Sequence, residues 1–339
     1  MYTERKIIIQ TALPLLEYCG LTCSAQVPDY TVGIFEENGD TLLATGSLVG
    51  DMLQMIAVLP SHQGEDLSAK VVTHLLRVSA QKGVYHLHLF TKPEKADYFR
   101  QLGFRIVVSI PDKAALLEWG SKGIHEYCRR LTEQVSPSHG RVGALVMNCN
   151  PFTIGHQYLV EQASRCCDRV IILAVQEDIS AFPFEARLSL LRRGVAHLPN
   201  VTVLPGGRYV ISSLTFPSYF THSTDLAATQ AAVDMALFAR YIAPCLGITD
   251  RFLGTEPFSP VTELYNRASI AQLEPAGIRV HLVERLVLEG QAVSASRVRA
   301  LLIQGKMAEV RALVPDTTWA YLNSSDFDAV RTRMVTNKY

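Results

Sequence analysis

The chain has 339 residues, 48% of them apolar and 19% charged, with 32 Lys and Arg balanced by 32 Asp and Glu. At roughly 150 residues per domain this predicts two domains with ordinary hydrophobic cores, and the zero net charge provides no field to hold a nucleic-acid backbone. Apolar runs such as 170–175 fall far short of the roughly 18 residues that span a bilayer, which excludes an integral membrane protein.

In chain order, residues 1–20 read as a first strand or helix, because Gln10, Thr11, Pro14 and Glu17 interrupt any secretory core. Strands are expected at 30–35 and 41–48, joined by Asn38-Gly39-Asp40, since Asn-Gly between apolar runs signals a hairpin; a third strand follows at 52–59. Leu67, Val71, Leu75 and Val78 recur at helical spacing over 67–80, followed by a strand at 84–90 and a short helix at 96–102. Together these predict an α+β domain over residues 1–135. The apolar rhythm then weakens, and Ser136-Pro137-Ser138-His139-Gly140 reads as a linker because Pro, Ser and Gly break regular structure.

From 140 to 339 the pattern changes. Strands are expected at 142–147, 169–175, 201–204, 251–253 and 280–285, with helices at 156–166 and about 225–243, and a terminal helix opening near Ser294. Strands alternating with helices predict a parallel sheet with crossover connections, a doubly wound layout whose ligands lie beyond the carboxyl ends of the strands. The seven cysteines show no paired metal spacing and suit free thiols in a reducing, cytoplasmic setting.

Two segments carry chemistry. The strand at 142–147 runs into Asn148-Cys149-Asn150-Pro151-Phe152-Thr153-Ile154-Gly155-His156 and then a helix. Gly155 leaves room for close approach, the helix start offers free N–H groups, and His156 can reach phosphoryl oxygens. Gly-His alone reads first as a helix start with a buried histidine; the strand, Asn-Pro-Phe-Thr and helix around it turn the reading toward phosphate. Near the other end stands Val293-Ser294-Ala295-Ser296-Arg297-Val298-Arg299. Either serine alone is an ordinary helix cap, but two serines with Arg299 make a phosphate clamp. Glu256, in Gly254-Thr255-Glu256-Pro257, reads equally as a nucleotide-facing strand end or a plain turn. Asp234 is expected to meet solvent, Cys149 lacks a neighbouring base to activate it, and Cys166-Cys167 reads as packing.

Thr153 to His156 and Ser294 to Arg299 together resemble the paired signatures of the HIGH nucleotidyltransferase superfamily, with Val293 in place of the usual Ile. The likeness extends through Glu177-Asp178, Phe182-Pro183-Phe184, Arg187, Tyr209-Val210-Ile211-Ser212, Thr215-Phe216-Pro217 and Gly254 to Phe258, and over essentially its whole length the chain resembles the citrate lyase ligases. That resemblance implies a Rossmann-like nucleotidyltransferase domain over 140–339 and an acid–thiol ligase activity. Acetate would be activated by ATP, with Mg2+, as acetyl-AMP. The acetyl group would then pass to the thiol of the CoA-like prosthetic group on the acyl carrier subunit of citrate lyase. It implies nucleotide contacts from Asn150, Thr153, Gly155, His156, Arg187, Gly254, Thr255, Glu256, Ser294, Ser296 and Arg299, with His156 and Arg299 catalytic; metal ligands stay unassigned. Some members carry Lys before Glu-Asp; here Gln176 stands there, which leaves arginines such as Arg187 and Arg299 to neutralise the triphosphate.

In the first domain, Pro60 to Ser68 and Tyr98 to Phe104 resemble the acyl-CoA loop and closing motif of GNAT acetyltransferases. Asp66 and Ser68 replace small loop residues, and Tyr98-Phe99 displaces the usual tyrosine. The resemblance therefore implies a GNAT-like domain that docks the prosthetic arm or the carrier instead of acetylating. Two other readings stand beside the ligase: a phosphopantetheine-type adenylyltransferase, which leaves AMP on its product, and a non-enzymatic GNAT-like binding module with a vestigial nucleotide site.

Overall fold

Two separate sheets organise the chain, one in each of two units, residues 1–127 with 216–229 and residues 128–215 with 230–339. The computed structural model describes residues 2–336 apart from 23–26, 38, 138–139, 177–179, 211–222 and 256–259. Several sequence expectations lie outside the described residues: Asn38 of the hairpin turn, Ser138 and His139 of the linker, Glu177, Asp178, Ile211, Ser212, Thr215, Phe216 and Pro217, and Glu256, Pro257 and Phe258.

The first unit contains β1 (Tyr2–Ile7), α1 (Ile9–Tyr18), β2 (Tyr30–Glu36), β3 (Leu42–Val49), β4 (Met52–Val58), α2 (Leu67–Gln81), β5 (His86–Thr91), α3 (Ala96–Gln101), β6 (Arg105–Ile110) and β7 (Ala114–Gly120). Its sheet runs β1-β2-β3-β4-β5-β7-β6, antiparallel except for the parallel pair β4 and β5, a GNAT-like α+β arrangement. Helix α2 buries Leu67, Val71, Leu75 and Val78, the residues whose spacing announced it. It lies close on the sheet because Gly46 has no side chain; a Cβ there would stand 2.5 Å from Val71 Cγ1.

Beyond α4 (Ile124–Glu133), the second unit alternates strand and helix: β8 (Val142–Met147), α5 (Ile154–Cys166), β9 (Arg169–Ala174), α6 (Phe184–Gly194) and β10 (Val201–Pro205). The helix expected at about 225–243 is α7 (Ser223–Leu237), a π-helical stretch at Phe238–Ile242 and α8 (Ala243–Leu246). Then come β11 (Asp250–Gly254), α9 (Pro260–Leu273), β12 (Arg279–Val283), the short strands β13 (Val287–Leu288) and β14 (Gln291–Ala292), and helices α10 (Ala295–Ile303), α11 (Met307–Leu313), α12 (Asp316–Leu322) and α13 (Asp326–Thr336). The large sheet is fully parallel in the order β10-β9-β8-β11-β12. The chain builds outward from β8 on one side, then returns to add β11 and β12 on the other. The switch point therefore lies between β8 and β11, where a doubly wound sheet opens a crevice at its carboxyl ends. No described helix is long and apolar enough to cross a membrane.

At the opposite, amino-terminal ends of these strands, Asp250 is fully buried and gathers four donors. Its carboxylate accepts from Arg141 Nη2 at 2.6 Å, Arg279 Nε and Nη2 at 3.0 Å, Thr249 Oγ1 at 2.6 Å and His281 Nε2 at 2.7 Å. Burial alone would raise this carboxyl; the donors from Arg141, Thr249, His281 and Arg279 outweigh it and hold Asp250 well below the usual carboxylate range. The network ties β8, β11 and β12 together at their starts. Asp250→Asn leaves two arginines facing a neutral amide and should cost about 3–5 kcal/mol, read as a lowered thermal midpoint at pH 7. Because the folded carboxyl is depressed, its contribution is present at neutral pH and fades as pH falls below about 4. The gap between wild type and Asp250→Asn should narrow over that acid range.

Candidate active site

The loop after β8 is built from both directions along the chain. Cys149 adopts a left-handed φ of +51°, and the Asn150–Pro151 peptide is cis. Arg187, buried on α6, donates from Nη1 to the Asn148 carbonyl at 2.9 Å, the Asn148 side-chain oxygen at 2.6 Å and the Val175 carbonyl at 2.9 Å, and from Nε to the Phe182 carbonyl at 3.0 Å. Asn150 Oδ1 accepts from the Phe182 N–H at 3.0 Å. From the far end of the chain, Arg299 Nη1 donates to the Asn150 carbonyl at 2.5 Å, and Thr318 Oγ1 donates to the Phe152 carbonyl at 3.0 Å. Buried backbone carbonyls need partners, and two arginines and a threonine provide them here.

Helix α5 then starts with a reciprocal cap. Thr153 Oγ1 accepts from the His156 N–H at 3.3 Å, and the Thr153 N–H donates to His156 Nδ1 at 3.1 Å. A ring nitrogen that accepts from a backbone N–H carries no proton, so the neutral imidazole holds its proton on Nε2. Burial, and after it the positive charge of Arg285, pushes the imidazolium down to about 4. The Phe152 ring stacks on the imidazole with centroids 5.9 Å apart. His156 is thus a neutral N–H donor of fixed orientation.

Gly155 has a tighter reason for its missing side chain than room for phosphate. A Cβ there would stand 3.0 Å from the Val293 carbonyl and 3.4 Å from the Val293 side chain. The Thr153–His156 and Val293–Arg299 segments meet at this contact. Around them opens a cleft of about 710 Å³ at the switch point, lined by Thr153, Gly155, His156, Gly254 and residues 283–286 and 290–297. Ser294 caps α10, its Oγ accepting from the Arg297 N–H at 3.1 Å, and Ser296 Oγ accepts from Arg299 Nη2 at 3.3 Å. Thr255 uses its backbone, donating to the Val283 carbonyl at 2.9 Å and accepting from Arg285 Nε at 2.7 Å.

The structure therefore gathers Thr153, Gly155, His156, Gly254, Ser294 and Ser296 along one cleft. Asn150, Arg187, Thr255 and Arg299 stand outside its lining, engaged in building the loops that frame it, and Glu256 lies outside the described residues. The cations along the lining are Arg285 and Arg297. Arg297 sits inside the serine motif, and Arg285 ends the segment expected as a strand at 280–285; the strand ends at Val283, and Arg285 lines the crevice while its Nε holds the Thr255 carbonyl. Cys149 is buried and burial pushes its thiol up, away from any nucleophilic role. Asp234 does not meet solvent as expected: residues 229–235 of α7 are buried, and Asp234 accepts from the Tyr265 hydroxyl at 2.6 Å. Cys167 is buried, as packing predicts, whereas Cys166 is exposed.

A second cleft belongs to the first unit alone. Strands β4 and β5 pair only at Met52 with His88 and Leu53 with Leu89. Beyond those pairs β4 bends at Met55, which has a left-handed φ of +55°, and a cavity of about 520 Å³ opens. Its lining includes Asp66, Ser68, Lys92, Lys95 and Tyr98, and the Tyr98 hydroxyl shares a 2.5 Å hydrogen bond with Ser68 Oγ.

These features define a two-part protein, a GNAT-like unit and a nucleotidyltransferase-like unit with a donor-lined crevice. A family model described as citrate lyase ligase C-terminal domain matches residues 142–322. A citrate (pro-3S)-lyase ligase of Klebsiella pneumoniae is 40% identical over 299 residues, covering 87% of each chain. The corresponding Escherichia coli K12 protein is 37% identical over 304 residues, 87% of this chain and 86% of the relative. Among solved structures, Thermotoga maritima TmcAL, crystallised with α-thio-ATP, aligns at 16% identity and a TM-score of 0.39, covering 54% of this chain and 55% of that one. The chain belongs to the citrate lyase ligase family.

The state of His156 can be read directly. Nitrogen-15 NMR of histidine-labelled protein, with the His156 signal assigned by its loss in His156→Ala, should show this imidazole held as the neutral Nε2–H tautomer throughout pH 5 to 8, titrating only near 4. A His156 midpoint near the ordinary value of about 6.5 would overturn the backbone-capped assignment.

Proposed function

We propose that the chain is an AMP-forming acid–thiol ligase that activates acetate as acetyl-AMP and acetylates the thiol of the CoA-like prosthetic group on the acyl carrier subunit of citrate lyase. The observation that carries this reading is the meeting of the two phosphate motifs across one crevice, with His156 fixed as a neutral donor. When an acetate oxygen attacks the α-phosphorus, charge grows on the α-phosphoryl oxygens and on the departing pyrophosphate. Donors already in place for that charge are the His156 Nε2–H, the free N–H groups at the starts of α5 and α10, and Arg285 and Arg297 along the lining. A neutral donor suits the task across the physiological range, since it neither gains nor loses charge there. In the second half-reaction the thiol attacks the acetyl carbon and AMP leaves. Arg187 and Arg299 hold the loop that presents His156, so they position the site.

Among the described residues no three His, Cys, Asp or Glu side chains gather as a metal cluster, and the cleft lining holds one carboxylate, Glu284. A resident Mg2+ centre does not fit that lining. Mg2+ enters as part of the nucleotide, carried on triphosphate oxygens. We assign the nucleotide chemistry to residues 140–339 and the first cleft, in residues 1–135, to receiving the prosthetic arm. Lys92 and Lys95 on its lining suit a phosphate-bearing chain. The reaction belongs in the cytoplasm, where ATP is supplied.

His156→Ala should keep the fold and lower acetate-dependent ATP–pyrophosphate exchange by roughly two to three orders of magnitude, the scale for losing one transition-state donor, with a smaller effect on ATP affinity. Unchanged exchange in a folded variant would remove His156 from the chemistry. The fate of AMP separates a ligase from a phosphopantetheine-type adenylyltransferase. With ATP, Mg2+, acetate and thiol-form citrate lyase, mass spectrometry of the acyl carrier should show an acetyl-sized gain and free AMP. An adenylyl-sized gain, or no dependence on acetate, would sink the ligase reading.

A further inference from the structure

Arg251, on β11, is 1% exposed, and its Nε and Nη1 are sealed from solvent with no hydrogen-bond partner. A buried polar group left unpaired is costly, and more so when it is charged. Its guanidinium carbon stands 4.8 Å from the centre of the Phe238 ring. The Tyr265 hydroxyl beside it donates to the buried Asp234 carboxylate at 2.6 Å and is also hydrogen-bonded with Arg251. The ring and the tyrosine neighbour the guanidinium, but Nε and Nη1 keep no acceptor.

The position of this residue relates it to the crevice. Side chains alternate along a strand, so Arg251 shares a sheet face with Leu253, about 7 Å further along. Leu253 lines the crevice, and so does Tyr265. Two unmet N–H donors thus lie one step behind the crevice wall, next to an aromatic face. A small anion with a short apolar tail matches that combination: oxygen for the guanidinium, carbon for the ring.

We propose that Arg251 is the carboxylate anchor of the acid substrate, a short aliphatic monocarboxylate that enters beside Tyr265 and rests its alkyl group on Phe238. This rests on the acid-activating reading of the crevice. One carboxylate oxygen accepts from Arg251 and the other forms the new bond to the α-phosphorus. The bond between the α-phosphorus and the bridging oxygen breaks as that bond forms, and its electron pair leaves with pyrophosphate. The nucleophile is already ionised, so no proton moves. A fixed guanidinium selects carboxylate geometry in a way that a flexible ammonium does not.

The test uses the full-length protein with acetate as the probe. In wild type with ATP present, saturating aromatic protons should transfer saturation to the acetate methyl group; absence of transfer overturns the site. Arg251→Lys, which keeps charge and stem but loses the fork, should weaken acetate binding and raise the acetate KM by about tenfold or more while leaving ATP affinity unchanged. Arg251→Met should abolish acetate-dependent exchange; should it fail to fold, Arg251→Lys and the wild-type transfer decide. An unchanged acetate KM in Arg251→Lys, or acetate and ATP KM rising together, overturns the anchor. Acetate binding that depends on Arg251 without any pyrophosphate exchange in wild type would instead sink the proposed reaction and leave the site standing.

Discussion

Everything in the crevice depends on how closely the start of α5 approaches Val293. The contact tolerates no side chain at Gly155, because a Cβ there would press on the Val293 carbonyl at 3.0 Å. Protein interiors do not absorb such overlaps without moving backbone. With glycine, the capped first turn carrying His156 and the capped first turn carrying Ser294 and Ser296 face one another, and two helix starts present free N–H groups to the same space. The loop between β8 and α5 is then fastened to the C-terminal helices by Arg299 and Thr318.

The arginines divide by whether they line the crevice. Arg187 and Arg299 spend their hydrogen bonds on carbonyls of the 148–182 region, and Arg141 and Arg279 on Asp250 at the far ends of the strands. These guanidiniums set geometry. Arg285 and Arg297 line the crevice. Positive charge along the crevice thus comes from residues next to the two motifs as well as from within them, and the charge of Arg285 reinforces burial in keeping His156 neutral. A neutral histidine between cations is the state in which its N–H donates without adding repulsion to its neighbours.

Two cavities of different character serve one protein. The crevice of the second unit is framed by helix starts, while the cleft of the first unit opens where two parallel strands stop pairing. The first presents the donors that phosphoryl transfer asks of a protein. The second is lined by Lys92 and Lys95, with its tyrosine hydroxyl hydrogen-bonded to Ser68.

Much of this was legible in the sequence, and the reason is locality. Periodicity over 67–80 became α2, the apolar run at 142–147 became β8, and alternation of strand with helix announced the parallel sheet. The cap between Thr153 and His156 spans three residues, so the sequence alone determines the partner that sets the imidazole tautomer. What tertiary structure decided is which charged side chains face the ligand and which face the protein. Arg299 and the carbonyl it holds are 149 positions apart, and Thr318 and its carbonyl 166; no local pattern encodes such pairs, so arginines that frame the crevice resemble arginines that line it. Asp234 shows the same limit, since an acidic residue on a helix reads as solvent-facing until a tyrosine thirty-one positions away proves to be its partner. Spacing along the chain specifies elements and caps because those contacts form within a turn or a strand. The direction of a long, flexible side chain is set by whichever backbone oxygens the completed fold leaves unpaired.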